Sequence, residues 1–214
     1  MEMNKRKQTL GEEITNAVSH GVGLGLAVAA LAVLVVLASR YGDVWYVVGF
    51  AIYGATLVIL YLSSTLYHSF PEGKVKRVFR LFDHASIYLL IAGTYTPITL
   101  IKLRGTVGWP LFGLIWGLAI IGIIFKIFFI DKYRILSTLL YIAMGWLVVV
   151  ALKPLLEALN HTSILFLLIG GALYTLGTIF YAWKGKKYAH AVWHLFVLAG
   201  SICHFFTMLF MLPA

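Results

Sequence analysis

VGLGLAVAALAVLVVLA, residues 22–38, is a run of seventeen positions without a charge or a side-chain hydrogen-bonding group. Extended by its flanks to 17–39 it is long enough, as a helix, to cross the roughly 30 Å hydrocarbon core of a bilayer. It does not alternate apolar with polar as a half-buried strand would. The whole chain reads the same way: of 214 residues, 61% are hydrophobic and 12% charged, and the mean hydropathy is +0.93. That much apolar surface has no place in water. Lipid is the solvent for most of it, and helices satisfy their own backbone groups there.

Six further runs follow, at 44–67, 81–101, 107–130, 135–152, 163–183 and 189–212, each near the twenty or so residues that a span needs. The fold expected is an all-α integral membrane protein, a seven-transmembrane helix bundle. Residues 1–16 form a cytoplasmic N-terminal segment and 17–212 a single transmembrane domain. Seven spans with short loops leave no length for a soluble domain, and the single Cys203 excludes an internal disulfide framework. Lys5, Arg6 and Lys7 before an apolar run resemble a secretory signal. The run begins late, is long, and follows Glu12 and Glu13, so it reads as a retained first span.

The net charge of +9 raises nucleic-acid binding, but the basic residues sit in short loops between apolar runs rather than on one soluble face. Lys5, Arg6, Lys7, Lys74, Lys76, Arg77, Arg80, Lys126, Lys132, Arg134, Lys184, Lys186 and Lys187 fall on one side, and Arg40, Lys102, Arg104 and Lys153 on the other. This split of 13 to 4 puts the N-terminus in the cytoplasm and the C-terminus outside. Lys126 lies inside a span near its inner end, where its stem can snorkel. Trp45, Trp109, Tyr133, Trp183 and Tyr188 fit interfacial aromatic belts. The pairs Gly21/Gly25 and Gly113/Gly117 have the spacing of close helix approach. The glycines at 21, 23 and 25 form no dinucleotide fingerprint, because no strand precedes them. Pro97 predicts a kink in the third span.

On this topology a set of polar residues converges at the cytoplasmic ends of the first, second, third and seventh spans: Glu13, Asn16, His20, Ser64, His68, Asp83, His84, His190 and His194. Ionisable groups in a membrane helix are costly and normally face the bundle interior. His190 and His194 are one turn apart, so both imidazoles leave one helix face and can grip one ion; equally, such a pair can hydrogen-bond neighbouring helices. Three imidazoles with a fourth position open to water make a catalytic zinc set, with His68 as the third. Asp83 can hold that water or take its proton, and Ser64 places a hydroxyl one turn deeper than His68. Glu13, Asn16 and His20 share a helix face and can orient the ligands. His84, about 100° around the helix from Asp83, caps or faces headgroups. His161 lies in an outer loop, and His204 is some 15 Å further along the helix than His194.

These residues also carry a resemblance. Glu13-Ile-Thr-Asn16-Ala-Val-Ser19-His20, Ser64-Thr-Leu-Tyr-His68-Ser-Phe-Pro71, Phe82-Asp83-His84 and His190-Ala-Val-Trp-His194-Leu-Phe-Val resemble, in order, the bacterial hemolysin III proteins. These lie within the wider progestin and adipoQ receptor family. The resemblance implies a seven-helix bundle with a cytoplasmic N-terminus, placed in the bacterial plasma membrane. It implies zinc on His68, His190 and His194, with Asp83 acting through water and Ser64 beside them. Its relatives the adiponectin receptors and the similar alkaline ceramidases imply water attacking a lipid amide or ester, with membrane lipids as partners. The hemolysin name implies a second possibility: a cytolytic or lipid-sensing membrane protein with structural zinc. The short outer loops offer no surface for a protein ligand.

Overall fold

The structure is a computed structural model that describes residues 7–130, 132–183 and 185–213. Lys5, Arg6 and Lys184 of the inner basic set, and residues 1–6 of the N-terminal segment, lie outside the described residues. Eight α-helices follow in order: α1 (Leu10–Tyr41), α2 (Val44–Ser69), α3 (Lys74–Pro97), α4 (Gly108–Phe129), α5 (Arg134–Gly145), α6 (Leu152–Ala158), α7 (His161–Ala182) and α8 (Ala189–Phe210). They make seven helical stretches long and apolar enough to cross a membrane. The fifth is α5 and α6 joined through the 3-10 turn Leu147–Ala151, so the sixth and seventh spans are α7 and α8.

α1 begins seven residues before the start expected from hydropathy. Thr9 and Glu12 form a capping box, each side chain serving the other's backbone N–H. Residues 10–16 are therefore helical. The buried positions Glu12, Asn16, His20, Gly23, Ala27, Leu34 and Ala38 recur every three, four or seven residues and mark one face. That face is polar near the basic end of the bundle and apolar beyond it. The other side carries Val22, Leu26, Val28, Val33 and Val36, all exposed, as a surface in lipid requires.

Close approach falls on other glycines than those expected. Gly25, Gly113 and Gly117 have open space beside them, and Gly21 meets no more than an ordinary contact. The interior face of α1 passes through Gly23, where an added Cβ would lie 2.5 Å from the Tyr61 ring; at Gly93 on α3 it would lie 2.0 Å from the Thr56 hydroxyl. Sequence spacing gives a stripe but not which way the helix is turned.

The third span is the most enclosed, with 72% of its apolar window buried against 22% for the fifth. After Pro97 its α register passes into a π-helical turn, Ile98–Lys102, as a residue without an N–H encourages. Tyr95 faces the break in the fifth span. Its hydroxyl donates to the Gly145 carbonyl at 2.9 Å and accepts the Val148 N–H at 2.6 Å. Backbone groups freed by a break must find partners inside a membrane protein, and one phenol serves two of them.

Two lysines read as interfacial are interior. Helix α3 starts at Lys74 rather than near 81, which carries Lys76 into the bundle at 5% exposure, and Lys126 on α4 is 1% exposed with its ammonium 5.9 Å from the Tyr141 ring. Neither snorkels, because both stems point inward. Trp109, Tyr133, Trp183 and Tyr188 remain exposed near helix ends. His161 is exposed too, but it begins α7 rather than lying in a loop.

Candidate metal centre

α2 ends, and α8 begins, at the basic end of the bundle, which brings His68 beside His190 and His194. One ring nitrogen from each can be chosen so that all three lie within 4.8 Å of one another. The orientation of each ring decides whether these are lone pairs or N–H groups. His68 Nδ1 is 2.7 Å from Glu13 Oε2, so it donates there and turns Nε2 inward. His194 Nδ1 is 3.3 Å from the Asn16 carbonyl and 3.2 Å from Ser19 Oγ. A carbonyl can only accept, so Nδ1 carries the hydrogen and Nε2 keeps its lone pair. His68 Nε2 and His190 Nε2 are buried with no hydrogen-bond partner in the protein. Unpaired buried nitrogens are expensive unless something else satisfies them. Three buried or part-buried imidazoles, two of them held through Nδ1 and two with an unpartnered Nε2, fit a metal ion by the chemistry of the donor set.

Glu13, Asn16 and His20 lie around the three histidines, each with a different contact. Glu13 bonds His68 directly. Asn16 offers its backbone oxygen to His194, and its side-chain amide lies 3.5 Å from His68 Nδ1. His20 makes no hydrogen bond. Its ring stacks on His194, with centroids 3.5 Å apart and planes 11° from parallel, and meets Tyr61 edge-on at 5.0 Å. Tyr61 in turn donates to Ser201 Oγ at 2.8 Å. Ser64 is fully buried one turn deeper than His68, its hydroxyl without a partner.

Asp83 and His84 both line a small chamber of about 30 Å³ with His20, Tyr181, His190 and His194, room for a water or two. His84 Nδ1 donates to the Arg80 carbonyl at 2.8 Å and lies 3.4 Å from Asp83 Oδ2. It therefore faces the interior, not headgroups: the i−4 carbonyl turns the ring inward. Beyond the chamber lies an apolar cavity of about 170 Å³. The two share Leu60, Ile87, Tyr181, Trp193 and Val197 on their walls. Half-exposed Val149, Leu156 and Leu168 stand on both the cavity wall and the outside of the bundle. His204 lies on that wall, outside the cluster of three.

Sequence reasoning passed over Glu12, Ser19 and Lys76. Glu12 was signalled by the Thr-x-x-Glu pattern at residues 9–12. Nothing local distinguishes Lys76 from its exposed neighbours.

The chain matches the family model described as "Haemolysin-III related" over residues 8–205. It is 51% identical over 208 residues to "Hemolysin-3" of Bacillus cereus, covering 97% of this chain and 95% of the relative. It is 48% identical to "Hemolysin-3 homolog" of Bacillus subtilis (strain 168), over 94% of this chain and 95% of that one. Identity to the human "Monocyte to macrophage differentiation factor" is 29%, over 94% and 85% of the two chains. No solved structure matches.

Proposed function

The chain belongs to the haemolysin-III-related family, and we propose that it is a zinc-dependent hydrolase acting on amide or ester bonds of membrane lipids. The observation that carries the proposal is the convergence of ring nitrogens of His68, His190 and His194 beside a small chamber that shares its walls with an apolar cavity. The protein sits in the bacterial plasma membrane with this end toward the cytoplasm, the sidedness its basic loops imply. His68, His190 and His194 hold the ion; three imidazoles with one open position suit zinc best. When bound, zinc supplies Lewis acidity and a source of hydroxide near neutral pH.

The remaining chemistry is assigned to the chain's own groups. Asp83, on the chamber wall, takes a proton from the attacking water and returns it to the leaving amine or alcohol. Ser64, with its unpartnered hydroxyl, is the donor for the oxyanion. The apolar cavity takes the acyl chain and keeps the carbonyl at the chamber, with Leu60, Ile87 and Trp193 excluding bulk water. The names of the Bacillus relatives favour a second reading, a cytolytic protein in which the ion is structural.

Purified protein in detergent separates the two. Zinc per chain is measured, and fatty-acid release is followed from ceramides and phospholipids for wild type, His194→Ala and Asp83→Asn. The hydrolase reading expects Asp83→Asn to keep its zinc while turnover falls by about 10²–10⁴. A wild type that binds zinc, lyses red cells and releases no fatty acid from either lipid class would refute it.

A further inference from the structure

The first turns of α1 reach both ligand-bearing segments. Glu12 and Glu13 are neighbours in sequence, so their side chains leave the helix about 100° apart. Glu12 is 3% exposed. Its Oε1 accepts the Tyr188 backbone N–H at 2.9 Å, and its Oε2 accepts the Thr9 N–H at 2.9 Å. Tyr188 stands immediately before α8 with φ of 60°. A tyrosine stays in that left-handed conformation where its surroundings hold it, and here it fixes where α8 starts, two residues ahead of His190.

Glu13 turns the other way. Its Oε2 meets His68 Nδ1 at 2.7 Å and its Oε1 meets the Lys76 ammonium at 2.9 Å. Lys76 also donates to the Phe70 carbonyl at 3.1 Å, at the end of α2, and lies 5.0 Å from the centre of the Tyr67 ring. One carboxylate therefore holds the start of α8, and the next holds the end of α2 and the start of α3. α2 and α8 each pack along α1 but touch each other little; Tyr53 and Tyr61 reach Ser201, well inside the ligand level.

We infer that Glu12 and Lys76 are positioning residues: with Glu13 they make the start of α1 a bracket that sets the spacing of His68 from His190 and His194. The inference rests on the metal-site reading above. Glu12 fixes the rise and rotation of α8 through Tyr188. Lys76 gives Glu13 a buried counter-charge and fixes which oxygen is left for His68. A bound ion then meets three nitrogens already gathered within 4.8 Å of one another, so the bracket sets affinity and coordination geometry rather than the chemistry itself.

The test measures zinc affinity of the full-length protein in detergent by competition with a fluorescent chelator, and coordination geometry from the visible spectrum of the cobalt-substituted form. Glu12→Ala and Lys76→Met are expected to weaken zinc about 10- to 100-fold, the range for lost supporting contacts at metal ligands, and to shift the cobalt spectrum. Glu12→Gln keeps an oxygen for the Tyr188 N–H and stays near wild type. Lys76→Met with Glu13→Gln costs less than the sum of the two, because they act through one contact. Thr9→Ala, which spares Tyr188, lowers the melting temperature and leaves affinity unchanged. Affinities of Glu12→Ala and Lys76→Met equal to wild type would overturn the bracket, as would Thr9→Ala weakening zinc as much as they do. A wild type that binds no zinc overturns the metal reading beneath it.

Discussion

Gly23 and Gly25 are two residues apart on α1, and alanine at each should have opposite effects. At Gly25 an added methyl meets nothing within 4 Å. The substitution there removes backbone freedom from the unfolded chain and gains about 0.5–1 kcal/mol. At Gly23 the new Cβ would stand 2.5 Å from Cδ1 and Cε1 of Tyr61 and 3.0 Å from its Cζ. Carbon pairs are most favourable at about 3.5–4.0 Å, so the ring has to retreat by roughly 1 Å. It has little room to do so. Tyr61 is 1% exposed, its hydroxyl is bonded to Ser201, and its ring meets His20. Overpacking of this kind costs about 1–3 kcal/mol, and weakening the Ser201 hydrogen bond adds about 0.5–1.5 kcal/mol. Less the propensity gain, Gly23→Ala is destabilising by about 0.5–4 kcal/mol. At about 2–4 °C per kcal/mol for a chain of this size, its thermal midpoint in detergent, followed by tryptophan fluorescence, falls by several degrees. That of Gly25→Ala is unchanged or higher. If Gly25→Ala proves the more damaging, α1 is rotated from the orientation described, and the Gly21/Gly25 stripe is the packed face after all.

Two further outcomes bear on the site and the cavity. Replacing His68, His190 or His194 singly with alanine should abolish stoichiometric zinc, whereas His204→Ala should retain it; mass spectrometry of the purified proteins decides, and loss of zinc in His204→Ala would mean that the wrong set of imidazoles has been identified. Gly171→Leu projects a side chain from the wall of the apolar cavity, where a Cβ itself fits at 3.7 Å from Trp146. It should reduce turnover of long-chain lipids more than of short-chain analogues without changing zinc content, and an equal loss for both would place the acyl chain elsewhere.

Much of the site was legible because its parts are written as spacing. His190 and His194 share a face by helical period alone, and the charge of the loops put His68 and Asp83 at the same end. What spacing cannot supply is rotation. The roughly 100° between His84 and Asp83 suggests that His84 caps or faces headgroups, yet α3 is so enclosed that both residues face the chamber. Lys76 looked like its neighbours Lys74 and Arg77 until α3 was seen to start at Lys74 and to carry this one stem inward. His20 shares a face with Glu13 and Asn16 by spacing, but that it meets His194 by stacking rather than through a hydrogen bond is something no motif encodes.

By itself the sequence determined that the chain lives in lipid, in seven helical spans, with a cluster of ionisable residues at the basic end. Hydropathy, helical period and loop charge are properties of the chain read one residue after another. Tertiary structure decided which face of each helix turns inward, and so which glycines admit a neighbour and which lysine is buried. It also decided that Glu12 and Glu13 reach different helices, and that an apolar cavity shares walls with the chamber beside His190 and His194. Those facts depend on how helices distant in sequence lie against one another. Each helix fixes the direction of its own side chains, but only its neighbours determine what those side chains meet.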